Sequence, residues 1–95
     1  DMLNLHSNQE KYDIILSSET IYNINSIPKI YNIIKHTLKY PSGIAYIAAK
    51  TIYFGVGGGI LPFCQLIEQD GIFNVNIVYT KIAHVKREII KLSFL

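Results

Sequence analysis

Hydrophobic positions along the chain change period several times, and each change marks an element. Residues 12–18, Tyr-Asp-Ile-Ile-Leu-Ser-Ser, form a short apolar run closed by small polar residues. That is the pattern of a parallel strand buried on both faces, with neighbours on either side. The spacing then becomes helical: Ile27, Ile30, Tyr31, Ile34 and Leu38 fall on one face, while Lys29, Asn32, His36 and Lys39 lie away from it. Ser26 or Ile27 starts this helix, and Pro28 sits in its first turn, where a missing N–H costs nothing. Pro41-Ser42-Gly43 ends it. Residues 44–49 read as a second buried strand, with small side chains where a helix can lie close. A second helix runs from Pro62 through Gln69, with Gly71 placed as its C-cap. Beyond Gly71 the period is two, with Phe73, Val75, Ile77 and Tyr79 on one side of a half-exposed strand. A polar turn around residues 84–87 leads into residues 88–95, where Ile90, Leu92 and Phe94 alternate with Lys91 and Ser93. The two strands form an antiparallel hairpin. The order is therefore β-α-β-α-β-β, an α/β pattern without internal repeat, preceded by a polar connecting segment over residues 1–11.

Between the second strand and the second helix lies Ala49-Lys50-Thr51-Ile52-Tyr53-Phe54-Gly55-Val56-Gly57-Gly58-Gly59. Four glycines within five positions strip the backbone of side chains, so something can approach it closely. The loop follows the carboxyl end of a strand, the side on which open α/β sheets bind ligands. Its spacing fits neither the dinucleotide nor the phosphate-loop fingerprint, which argues against nucleotide phosphates. A turn that merely permits positive φ is the competing reading.

Composition bounds what such a fold can be. The chain has 95 residues, 49% of them hydrophobic and 17% charged, against about 25% charged in an average soluble domain. This is one small domain with more apolar surface than it can bury alone. It reads as a tight oligomer or as part of a larger sheet. The formal net charge of +2 is scattered, without the dense basic block of a nucleic-acid binder, so no direct nucleic-acid contact is expected. The single cysteine, Cys64, has no disulfide or metal companion and reads as a small buried hydrophobe in a reducing compartment. His6, His36 and His84 lack ligand spacing, so no metal is expected. Lys50 and the glycines interrupt the longest apolar stretch, which excludes a membrane helix. No signal-peptide pattern opens the chain, and its start at Asp1 leads us to expect a native N-terminus further upstream.

The two stretches that flank the strand ends carry a more specific signal. Tyr12-Asp13-Ile14-Ile15-Leu16-Ser17-Ser18-Glu19-Thr20-Ile21-Tyr22-Asn23 and the Gly-rich stretch from Ala49 to Gly59 together resemble the histidine protein methyltransferase family. The resemblance runs from about Tyr12 to the C-terminus. It implies the carboxyl half of a Rossmann-like class I methyltransferase sheet, in which the last strand inserts antiparallel beside the previous ones. It also implies S-adenosylmethionine as cofactor, with its methionine and ribose held by residues upstream of this chain. The implied acceptor is the histidine imidazole nitrogen distant from the main chain, in a large-subunit ribosomal protein, in the cytoplasm or nucleus. Related protein-lysine methyltransferases carry Asp-x-x-Tyr where this chain has Glu19-Thr20-Ile21-Tyr22, a departure that agrees with the histidine branch. A lysine methyltransferase and a non-catalytic interaction module remain the alternatives.

Roles for individual residues follow from that resemblance. Glu19 and Tyr22 are the expected catalytic pair, with Glu19 accepting the hydrogen bond of the second imidazole nitrogen. Asn23, Lys50, Tyr53, Phe54, Gly55, Gly57, Gly58 and Gly59 are expected to contact the substrate, and Ser17 and Ser18 the cofactor. Glu19 as an exposed loop acid or capping residue, Phe54 as core, and Lys50 as a solvated strand end are the plainer readings. The isolated chain is expected to self-associate through its open strand edge or bare sheet faces.

Overall fold

A computed structural model describes residues 11–53 and 55–95. Its elements are β1 (Ile14–Ser18), α1 (Ser26–Thr37), β2 (Ile44–Lys50), α2 (Ile60–Asp70), β3 (Phe73–Lys81) and β4 (Arg87–Phe94). The polar segment expected over residues 1–11 lies, apart from Lys11, outside the described residues. Each helix forms where the apolar period predicts it. In α1 the buried positions are Ile27, Tyr31 and Ile34, followed by Leu38 at the C-cap. In α2 they are Ile60, Phe63 and Ile67, and Gly71 closes the helix in the left-handed conformation at φ 71°. The helix starts at Ile60, two residues before the Pro62 that marks it in the sequence.

The four strands form one sheet in the order β1-β2-β4-β3. β1 and β2 are parallel, as a β-α-β crossover requires. β4 lies between β2 and β3 and is antiparallel to both, the inserted last strand that the sequence leads one to expect. Ala45, Ile47, Ala49, Ile90 and Leu92 share one buried cluster with the inward residues of both helices. Both helices therefore cover the same face of the sheet. Tyr31 anchors it with edge-on contacts to Phe63 and Phe73, at centroid separations of 6.4 and 6.0 Å.

Two strands depart from expectation. β1 is an edge strand rather than an interior one, and its apolar run is half uncovered, with Ile14 61% and Leu16 74% exposed. A continuous apolar run shows that both faces suit burial, but not whether the partners for both lie within the same stretch of chain. In β3 the alternation breaks at a bulge after Ile77. Ile77 pairs with Ile90 but Tyr79 pairs with Ile89, so Tyr79 leaves the face shared by Phe73 and Val75 and turns to the uncovered one. Arg87, expected in the turn, is instead the first residue of β4 and stands opposite Lys50.

Candidate active site

At the carboxyl end of β1 the chain turns sharply at Glu19. Its φ of 60° lies in the left-handed region, which a long side chain seldom adopts and which costs on the order of 1–3 kcal/mol. The Glu19 N–H still donates to the Ala48 carbonyl at 2.9 Å, so the sheet ladder continues through the bend and aims the side chain across the end of β2. There its two oxygens have separate partners. The Tyr53 hydroxyl donates to Oε1, and Arg87 Nη1 donates to Oε2 at 2.6 Å. The Tyr53 oxygen in turn accepts the Lys50 N–H at 3.3 Å, and the Lys50 ammonium lies 5.1 Å from the centre of the Tyr53 ring, within cation–π range. Burial, and then the hydrogen bond to Glu19, push the Tyr53 hydroxyl pKa above its ordinary value.

Three expected residues, Glu19, Lys50 and Tyr53, thus meet in one constellation. Arg87 completes it and escaped the sequence reading. A signal for it existed: counting the β4 register back from the inward Ile90 places Arg87 beside the end of β2. A carboxylate offers about four lone-pair positions, and with Glu19 side-chain exposure at 41% it keeps room for a further donor. The arrangement can fix a ring N–H in one orientation.

In the Gly-rich loop, Gly58 and Gly59 lie against the chain's own backbone. A Cβ on Gly58 would lie 2.3 Å from the Tyr22 carbonyl carbon, and one on Gly59 would lie 2.4 Å from the Thr51 carbonyl oxygen. The close approach that these glycines permit is made by the chain's own backbone. Gly59 N–H donates to the Ile21 carbonyl at 2.7 Å, Tyr53 N–H to Gly58 at 3.1 Å and Ile24 N–H to Val56 at 2.9 Å. The loop ties the segment after Glu19 to the segment that carries Tyr53. Gly55 and Gly57 have positive φ, 85° and 78°, and Gly55 faces open space.

The other expected residues are placed as follows. Tyr22 is half exposed and stands beside Gly58. Asn23 pairs with Gly57, and its Oδ1 accepts the Ser26 N–H at 2.8 Å, so its carboxamide braces the turn that leads into α1. The Ser17 hydroxyl is 2.5 Å from that of Thr20, and Ser18 is exposed on the uncovered face. Phe54 lies outside the described residues. Cys64 is half-buried, and burial pushes its thiol up to about 11. Among the described residues no cluster could hold a metal ion, and no helix is long and apolar enough to cross a membrane.

Fold and site together define a class: a mixed α/β sheet consistent with the carboxyl-terminal part of a methyltransferase fold. Comparison with known proteins makes this more particular. The chain is similar to the histidine protein methyltransferase 1 homologue of Dictyostelium discoideum, 52% identical over 59 residues, which are 62% of this chain and 19% of that protein. It is 38% identical to the mouse homologue over 87 residues, 88% of this chain and 23% of that protein. With histidine protein methyltransferase 1 of Schizosaccharomyces pombe it shares 35% over 81 residues, 83% of this chain and 23% of that protein. No family model matches the chain. The chain spans about a fifth of the length of these curated relatives, and over that span its resemblance to histidine protein methyltransferases is shown.

Proposed function

We propose that this chain is the acceptor-binding part of an S-adenosylmethionine-dependent protein-histidine N-methyltransferase that modifies an imidazole of a large-subunit ribosomal protein. The observation that carries the reading is Glu19, bent to positive φ at a strand end and held by Tyr53 and Arg87, in a chain similar to proteins named for histidine methylation. A neutral imidazole needs little help as a nucleophile; it needs its attacking nitrogen free and aimed. A carboxylate that accepts the N–H of the other ring nitrogen selects that tautomer and stabilises the imidazolium that forms. Glu19 performs this step, and its two partners keep it from rotating away. The half-exposed Tyr22 ring walls the acceptor side.

These residues do not form a cradle for the whole cofactor. Two of the loop glycines, Gly58 and Gly59, are closed off by the chain's own backbone, and the Ser17 hydroxyl is taken by Thr20. Methyl donation is therefore assigned to a cofactor held by other parts of the full-length protein, and the present chain supplies acceptor orientation. The test is incubation of the full-length protein with S-adenosylmethionine and purified large-subunit proteins, with the modified residue mapped by mass spectrometry. Methyl-histidine is the expected product. Methyl-lysine would favour the lysine-modifying alternative.

A further inference from the structure

Glu19 does not meet an acceptor as a bare charge. Its Oε2 accepts Arg87 Nη1 at 2.6 Å, and its Oε1 accepts the Tyr53 hydroxyl. The cations around this pair add to its positive side. Lys50 stands opposite Arg87 on β2 and Lys81 opposite it on β3, and the Lys50 ammonium lies over the ring of Tyr53. Glu88, the next residue of β4, is a carboxylate as well, but it shares the parity of the inward Ile90 and Leu92. There it is buried and accepts the Thr51 hydroxyl at 2.7 Å.

Stability gives little reason for Arg87. Like charges directly opposed on a sheet are destabilising, and an ion pair whose side chains are 48% and 41% exposed returns little. Its effect on the chemistry of Glu19 is larger. A carboxylate bonded to a guanidinium keeps lone pairs for a further donor but has little net charge left to attract a cation. A neutral ring N–H needs only the lone pair. A lysine ammonium placed there would also stand beside Arg87, and a like charge at that range disfavours the charged form.

We propose that Arg87 determines the class of acceptor: by cancelling the charge of Glu19 it reserves that carboxylate for a neutral side chain and denies it to a lysine ammonium. The proposal rests on the reading of Glu19 as the acceptor-orienting group. Arg87 then acts through Glu19 and does not itself touch the reacting atoms. Charge, rather than the size of the acceptor side chain, separates histidine from lysine at this site, and Lys50 supports Arg87 by keeping the surroundings positive.

The test uses the full-length protein and three fluorescent peptides that differ only at a central histidine, lysine or norleucine. Fluorescence anisotropy at pH 8, where imidazole is neutral and the ammonium charged, reads binding without methyl transfer. The wild type should bind the histidine peptide most tightly and the lysine peptide no better than norleucine. In Arg87→Met the lysine peptide should gain at least about fivefold over norleucine, a gain that shrinks as salt is raised. Arg87→Lys keeps the charge and should keep the wild-type order. Arg87 is exposed, so circular dichroism should show both variants folded. Tighter wild-type binding of lysine than of norleucine, or an Arg87→Met that weakens all three peptides alike, would overturn the proposal. Glu19→Gln separates this from failure of the underlying reading. If it abolishes the histidine advantage, those two results refute the role of Arg87 alone; a histidine advantage that survives it would remove the Glu19 reading and the proposal with it.

Discussion

Glu19 shows what a sequence conveys at the scale of one residue. Its position at a strand end was legible, because an apolar run closed by small polar residues names the functional edge of an α/β sheet. Its backbone strain was not, because nothing in Ser-Ser-Glu-Thr predicts a positive φ for glutamate. Its partner Arg87 was hidden for another reason: 68 positions separate the two residues, and only the strand register brings them together. Other single residues can be tested without the full-length protein. Asp70 accepts hydrogen bonds from Lys35 at 2.8 Å and from the Tyr31 hydroxyl at 2.5 Å, and these hold its carboxyl below the ordinary 3.8, Lys35 contributing most. A lowered carboxyl pKa gives stability that is present in full above the ordinary value and is lost as the pH falls through the folded-state value. Stability should therefore drop on acidification below about pH 4, and Asp70→Asn should flatten that part of the curve, as read by urea titration at several pH values. Tyr31→Phe should cost about 0.5–1.5 kcal/mol at neutral pH. Cys64, with its thiol near 11, should react with iodoacetamide at pH 8 far more slowly in the folded chain than in urea. Equal rates would contradict its burial.

At the scale of elements, the Gly-rich loop is a clamp between two segments, which the glycine pattern alone could not reveal. The pattern says that the backbone is approached closely; it does not say by what. Gly58 and Gly55 separate the two possibilities. Gly58→Ala must push apart the backbone at Tyr22, since the added Cβ would lie at 2.3 Å. Gly55→Ala meets open space and bears only the cost of positive φ, on the order of 1–2 kcal/mol. Thermal unfolding should therefore show a much larger loss for Gly58→Ala. Similar losses at the two sites would mean that the loop does not hold the segment after Glu19. The helices were the most legible elements because their apolar faces are complete within the chain. β3 was half legible: its alternation predicts a strand, but a bulge leaves no mark in a run such as Asn-Ile-Val-Tyr, and the facing of Tyr79 was misread for that reason.

For the whole molecule, the apolar surplus has a visible location. The helices cover one sheet face, and the other presents Leu16, Tyr46, Ala48 and Ile89 around a shallow depression, beside the unpaired edge of β1. The isolated chain should self-associate through this surface. On β1, Ile15 packs against the core, so a substitution there would also disturb folding. Leu16, at 74% exposure, is the position to test. Light scattering after size-exclusion chromatography should show oligomers for the isolated chain and a shift toward monomer in Leu16→Lys without loss of cooperative unfolding. A wild-type monomer at high concentration would mean that the uncovered face needs no partner.

The most direct measurement of the account is made on Glu19→Gln in the full-length protein, a change that keeps size and removes the charge. If Glu19 orients the acceptor imidazole, kcat for histidine methylation should fall on the order of a hundredfold, while calorimetric affinity for S-adenosylmethionine stays within about twofold of wild type. Unchanged turnover, or turnover preserved with cofactor binding lost, would contradict the role given to Glu19 and with it the assignment of this chain to the acceptor side.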